Sequence, residues 1–212
     1  MQQKHMKISI RLAVLLLLSL TACKHPHASI KVGIQPLGDV PHPHIVATQK
    51  ALQQVYLCEV VVLHPLPMPQ EVFINIKTPR YRADKILMYL KKIMPDTVTH
   101  ILAITPYDIS TTKYASEGKI KYPESKYKDW GIFGLGYRPG TSAVISTRRL
   151  HTGVSTTKFL QRVQKIAVHE FGHNLGLPHC DHTDCVMTDA AETIHTIDNV
   201  NLSLCGTCKS NI

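Results

Sequence analysis

One run of eleven residues constrains this chain more than any other: His169-Glu170-Phe171-Gly172-His173-Asn174-Leu175-Gly176-Leu177-Pro178-His179, the pattern H-E-x-x-H-x-x-G-x-x-H. Positions four apart lie on one face of an α-helix, so His169 and His173 can aim both imidazoles at a single ion. Glu170 flanks the first of them and is placed to take a proton from a water on that ion. Gly176 tolerates left-handed backbone angles, so it ends the helix and lets the chain bring His179 back to the same point. Three neutral imidazoles leave a fourth position open. Such a site is suited to zinc, which lowers the pKa of a coordinated water and polarises a carbonyl, the two requirements for hydrolysing a peptide bond.

The residues after His179 add a second set of ligands. Cys180 and Cys185 are followed by Met187, and Cys205-Gly206-Thr207-Cys208 comes close to the end of the sequence. Four thiolates in two close pairs have the spacing of a closed, tetrahedral structural zinc site. Two disulfides are the alternative, since the N-terminal segment points to an oxidising compartment. A bound zinc would tie the polar C-terminal tail to the end of the catalytic segment, because its binding energy is also folding energy.

The run from His169 to Cys208 resembles the archaemetzincins, a branch of the metzincin metallopeptidases, and every signature position is filled, including the seventeen residues between Met187 and Cys205. Weaker similarity extends upstream through Thr99–Thr105, Trp130–Gly134 and Ala143–Leu150. The resemblance implies that His169, His173 and His179 bind catalytic zinc, that Glu170 is the general base, and that Cys180, Cys185, Cys205 and Cys208 bind a second zinc. It also implies that Met187 lies in the turn beneath the catalytic metal, where its contribution is packing.

The N-terminus carries a separate message. Lys4, Lys7 and Arg11 precede the apolar run Leu12–Leu20, and Leu20-Thr21-Ala22-Cys23 follows. Basic, hydrophobic and small-residue zones in that order mark an export signal, and the apolar run is too short to span a bilayer. The cysteine after Leu-Thr-Ala resembles a bacterial lipoprotein box, which implies cleavage after residue 22 and acylation of Cys23. An ordinary secretory signal, with Cys23 incidental, is the alternative. Several acyl chains on one residue would anchor the chain to a membrane without embedding it. Residues 24–29 read as a short polar tether. Lys24 is not the aspartate that favours inner-membrane retention in many lipoproteins, so the expectation is the cell envelope with the outer membrane favoured.

Removing residues 1–22 takes away three basic and no acidic residues, so the formal charge of +9 falls to +6 over the remaining 190. That length suits one domain, residues 30–212, with a real core. The lysines at 113, 119, 121, 126 and 128 share a polar segment with Tyr114, Tyr122 and Tyr127. No nucleic-acid-binding motif frames them, and the segment reads as a solvated loop, with attraction to acidic substrates, nucleic acid or anionic surfaces as the alternative. A monomer with a peptide or protein substrate is the expected state.

Alternating or continuous apolar runs predict strands over residues 30–34, 58–63, 101–105, 130–137 and 142–146, and helical spacing predicts helices over 43–56 and 81–93. Ser155 is the expected N-cap of a helix running to Leu175, with Phe159, Leu160, Val163 and Ile166 on its buried side. The alternation predicts a three-layer α/β domain with a twisted, mostly parallel sheet. The family resemblance adds one antiparallel edge strand over the cleft, for which residues 130–137 are the candidate. An exposed edge there could pair with an extended peptide.

Cys58 reads as an unpaired packing thiol, and His182 and His195 as loop residues, since both proposed sites already have complete ligand sets. Asp108, after Thr105-Pro106-Tyr107, reads as turn chemistry. Tyr137 could support an oxyanion, but nothing in the sequence places its hydroxyl, and it stays outside the catalytic set. Two other classes remain open on sequence alone: a non-catalytic zinc- or peptide-binding lipoprotein, which the intact Glu170 opposes, and a thiol redox site at Cys205 and Cys208.

Overall fold

All five residues of the strand Ser142–Ser146 are buried, as are five of the six in His100–Thr105, so the sheet they form must be covered on both faces. The computed structural model describes residues 30–189 and 193–212. The export signal at 1–22, Cys23 and the tether to residue 29 lie outside the described residues. In chain order the elements are β1 (Lys31–Pro36), α1 (His42–Tyr56), β2 (Glu59–Val62), β3 (Phe73–Asn75), β4 (Pro79–Arg82), α2 (Ala83–Ile93), β5 (His100–Thr105) and β6 (Ile109–Thr111). There follow α3 (Glu124–Tyr127), β7 (Trp130–Ile132), β8 (Gly134–Gly136), β9 (Ser142–Ser146), α4 (Thr156–Asn174), α5 (Ile194–Asn199) and α6 (Gly206–Ser210).

Five strands form the main sheet in the order β2-β1-β5-β9-β8. The first three pairings are parallel, and β8 runs antiparallel to β9 at one edge, pairing Leu135 with Val144. Side chains alternate across the sheet. On β5, Leu102 and Ile104 join the core beneath α1 and α4, whereas Ile101 and Ala103 face the core under α2. The fold is therefore three-layered, with α1 and α4 on one face and α2 on the other. Ser155 caps α4 as its sequence position predicts, its hydroxyl accepting from the Lys158 N–H at 3.3 Å.

The structure corrects two expectations. Residues 130–137 are not one strand: β7 belongs to a second sheet, β3-β4-β6-β7, and only Gly134–Gly136 forms the edge of the main sheet. Tyr81 and Arg82 do not begin α2; they extend β4, which pairs in parallel with Ile109 and Ser110. Asp108 is what holds that second sheet in place. Its carboxylate accepts from Arg80 Nε at 2.8 Å and from Arg149 Nε and Nη2 at 2.6 and 2.8 Å, a far larger role than turn chemistry. Burial pushes this carboxyl up, but the hydrogen bonds and charges of Arg149 and Arg80 outweigh it and hold it below the ordinary Asp value.

At the other end of α4, the guanidinium of the buried Arg162 makes two bonds of 2.8 Å to the Asp198 carboxylate. Lys165 donates to the carbonyls of Ile197 and Asp198 at 2.9 and 3.1 Å. These bonds dock α5 onto the helix that carries the site. Cys58 is half-buried and unpaired, with its thiol raised by burial, in keeping with a packing role.

Candidate metal and active site

Helix α4 ends where its chemistry begins. The Gly176 N–H donates to the His173 carbonyl at 2.9 Å and the Leu177 N–H to the Gly172 carbonyl at 3.0 Å, the paired bonds of a Schellman motif. Gly176 supplies the left-handed residue, with φ +94°. The reversal also returns the Leu177 carbonyl to His173, 2.8 Å from Nδ1, and the Val186 carbonyl lies 2.8 Å from His169 Nδ1. Both carbonyls accept from Nδ1–H, so each ring is held in the tautomer that leaves Nε2 with a free lone pair. The two Nε2 atoms stand 3.1 Å apart, and one ring nitrogen of each of His169, His173 and His179 lies within 4.8 Å of the others. Burial, then the neighbouring His173, lowers His169 to about 4, and burial lowers His173 too, with His179 and Arg138 adding to it. Neutral imidazoles are the form a metal requires. The more exposed His179 has its Nδ1 3.5 Å from Asp189 Oδ2.

Glu170 is 7 % exposed and lines the same cleft, a cavity of about 460 Å³ bounded by residues 132–136 and α4. Burial raises its carboxyl to about 8, while a hydrogen bond from the Gly136 backbone pulls the other way. Gly134 and Gly136 allow this closeness. A β-carbon on Gly134 would lie 2.7 Å from Glu170 Oε1, and one on Gly136 would collide with the Glu170 carbonyl oxygen. Asn174 fixes the far end of β8, its Nδ2 donating to the Tyr137 and Ser142 carbonyls, each at 2.9 Å. Tyr137 thus contributes a carbonyl to this anchor, and its side chain is 37 % exposed.

Met187 packs against α4 at Gly172. It is fully buried, and a β-carbon on Gly172 would strike its sulfur and lie 2.8 Å from the Tyr56 hydroxyl. That hydroxyl donates to the Val168 carbonyl at 2.7 Å, one residue before the first candidate ligand.

The four C-terminal cysteines also converge. Cys180 and Cys205 sulfurs are 3.7 Å apart, Cys185 and Cys208 sulfurs 3.8 Å, and all four lie within 4.8 Å of one another as free thiols. Four ligands at about 2.3 Å from a tetrahedral zinc stand ~3.8 Å from each other, whereas bonded sulfurs stand about 2.0 Å apart. The spacing fits zinc. Cys205 stands at the N-cap position of the short helix α6, and the Cys208 backbone lowers its thiol to about 6, toward the thiolate that a metal binds. His182, expected to be a plain loop residue, places Nδ1 3.3 Å from the Cys180 sulfur. His195 sits in the first turn of α5, outside both clusters.

Sequence reasoning found every side chain in the two clusters. It missed the carbonyls of Val186 and Leu177, which any residue could supply, and the roles of Gly134 and Gly136. Glycines at 131, 134 and 136 in one short stretch were the available signal, because glycine inside a strand marks close backbone approach.

Three imidazoles facing one point of an open cleft, with a buried carboxyl beside them, define the class of zinc-dependent peptidases. Comparison with known proteins leads to the family. Residues 55–212 match Peptidase family M54, and the chain belongs to that family; it is a zinc metallopeptidase. The archaemetzincin of Haloarcula marismortui is 34% identical over 189 residues, covering 85% of this chain and 98% of that protein. That of Halobacterium salinarum is 32% identical over 191 residues, covering 86% and 99%. Among solved structures, the archaemetzincin of Archaeoglobus fulgidus complexed with malonate superposes with a TM-score of 0.67 at 29% identity, covering 86% of this chain and 100% of that one. The archaemetzincin of Methanopyrus kandleri, at 24% identity, gives a TM-score of 0.69 and covers 87% and 94%.

Proposed function

We propose that His169, His173 and His179 hold the catalytic zinc and that Glu170 is the general base of peptide hydrolysis. The observation that carries this reading is the convergence of three imidazoles in a cleft walled by the buried Glu170. Zinc bound there lowers the pKa of a water and polarises the substrate carbonyl. Glu170 takes a proton from the attacking water and returns it to the leaving amine nitrogen. The Gly136 backbone bond helps fix its position. β8, at the edge of the main sheet, offers its backbone to an extended substrate.

Cys180, Cys185, Cys205 and Cys208 hold a second, structural zinc, giving two per chain. The mature protein starts at Cys23, carries lipid on that residue, and works at a bacterial cell envelope, with the outer membrane favoured; the lipoprotein box Leu20–Cys23 supports this. One chain contains every proposed ligand, so a monomer is complete.

The decisive experiment is zinc content together with peptide cleavage for the unaltered protein and for Glu170→Gln. The variant keeps both zincs and loses about 10²-fold or more in kcat. Undiminished cleavage by Glu170→Gln would remove Glu170 from the mechanism, and zinc retention without any cleavage by the unaltered protein would favour a binding module. Membrane fractionation of Cys23→Ser tests the anchor: the variant leaves the membrane fraction if Cys23 is acylated.

A further inference from the structure

We propose that a second cavity beside the catalytic cleft binds a carboxylate of the peptide substrate, through Arg149, Lys126 and Lys77, and so selects acidic peptides. The proposal rests on substrate lying along β8. The cavity, of about 560 Å³, is lined by these three residues together with Arg80, Trp130 and Phe133, and Phe133 also lines the cleft that contains Glu170. The two cavities therefore adjoin at Phe133.

Its cations exceed its anions. Arg80 is engaged by both acids present, bonding Asp108 Oδ2 at 2.8 Å and lying 3.2 Å from Asp129 Oδ2. Arg149 gives Nε and Nη2 to Asp108, and among the described residues its Nη1 meets no acceptor. Among the described residues the Lys77 ammonium donates only to the Lys126 carbonyl, at 2.8 Å. The Lys126 ammonium faces aromatic rings, 5.1 Å from the centre of Tyr127 and 5.4 Å from that of Trp130. Among the described residues neither lysine has a carboxylate partner. Among the described residues, set against Asp108 and Asp129, the four cations leave two positive charges to be matched.

The arrangement is built in. A β-carbon on Gly131 would lie 2.8 Å from Arg149 Nη1, so glycine there lets the guanidinium rest against the backbone of β7, while Asp108 fixes its rotation. A guanidinium fork clamped on one side presents its remaining N–H groups to a carboxylate. Gly131 lies three residues from Gly134, which abuts Glu170, across the change of sheet at Phe133, so the two are at most roughly 10 Å apart. The carboxylate therefore belongs to a residue within about three positions of the scissile bond, or to a chain terminus at that distance.

Trp130 is the chain's single tryptophan, which gives a readout independent of turnover. Zinc-loaded Glu170→Gln protein is titrated with peptides carrying Glu or Gln three positions to either side of the central bond, with free or amidated C-termini, while Trp130 fluorescence is followed. The Glu peptide should bind roughly tenfold tighter at low salt, with the advantage shrinking as salt rises. Lys77→Gln combined with Lys126→Gln, both exposed and safe for folding, should reduce that preference, and Lys126→Arg should retain it. A Glu-over-Gln preference that persists on amidation assigns the site to a side chain, and a free-over-amidated preference shared by the Glu and Gln peptides assigns it to a chain terminus. Equal affinity for all four peptides would overturn the proposal, as would a preference that survives the double lysine variant. Absence of cleavage by unaltered protein, with the fluorescence preference intact, would count against the peptidase mechanism and leave this site standing.

Discussion

Gly134 lies so close to Glu170 that a β-carbon there would be 2.7 Å from the carboxyl Oε1. Strand β8 thus sets where the candidate base can stand, and Gly136 adds the backbone hydrogen bond that steadies it. Gly134→Ala forces the Glu170 side chain to move while leaving the histidines alone. Displacement of a catalytic group by about 1 Å can cost ~10²-fold, so kcat/KM should fall by that order with zinc content unchanged. Metal analysis and steady-state kinetics on the same preparation check this; normal activity in Gly134→Ala would show that the carboxyl has room the structure denies it.

Gly176 connects the helix end to the orientation of a ligand, because its left-handed conformation brings the Leu177 carbonyl to His173 Nδ1. Alanine at φ +94° costs about 1–2 kcal/mol and disturbs that carbonyl. Gly176→Ala should therefore lower both stability and zinc affinity, the latter by ~10-fold or more, as loss of an outer hydrogen bond to a ligand does. Unfolding measured with and without zinc separates the two effects. An equal loss in both conditions would mean that the carbonyl does not matter to the metal.

The sequence made the main helix and its candidate ligands legible because their logic is local: four-residue spacing, a capping serine and a glycine stop all lie within 155–179. Strands β5 and β9 were legible because a doubly covered strand must be apolar throughout. The second sheet was not. Its strands have three or four residues each, β4 begins at Pro79, and its stability comes from Arg80 and Arg149 meeting Asp108 across 28 and 41 residues of sequence. No period in the chain records such pairings. Residues 130–137 look like one strand in composition, yet they change sheets at Phe133, and only the three glycines hint that something packs closely there.

Asp198 makes acid stability measurable at one site. The hydrogen bonds and charge of Arg162, helped by Lys158, hold its carboxyl at about 2, below the ordinary value of 3.8. A depressed folded-state pKa contributes stability that is complete above pH ~4 and is lost as pH falls from there through about 2. With the side chain 18% exposed, the contribution is about 1–2 kcal/mol. Between pH 5 and 2 the unaltered protein should lose that much more stability than Asp198→Asn, whose own deficit is largest near neutrality, where Arg162 is left buried without its partner. Denaturant titrations at several pH values test this, and parallel curves for the two proteins would exclude Asp198 as a contributor.

The cysteine cluster separates zinc from disulfide by its response to two reagents. Sulfurs 3.7 and 3.8 Å apart match ligands around a tetrahedral ion, and Cys180 follows His179 directly in the chain. Zinc there links the stability of the C-terminal segment to metal, by at least ~4 kcal/mol at ordinary excess over the dissociation constant. For a domain of this size that corresponds to a fall in Tm of roughly 10 °C when the metal is stripped. A chelator should therefore lower Tm and expose four alkylatable thiols, while a reductant alone leaves both unchanged. Because Cys180→Ser frees the segment bearing His179, it should also weaken zinc at the histidine site, whereas Cys208→Ser, farther along the chain, should chiefly lower Tm. A Tm that drops with reductant and ignores chelator would assign the four sulfurs to two disulfides instead.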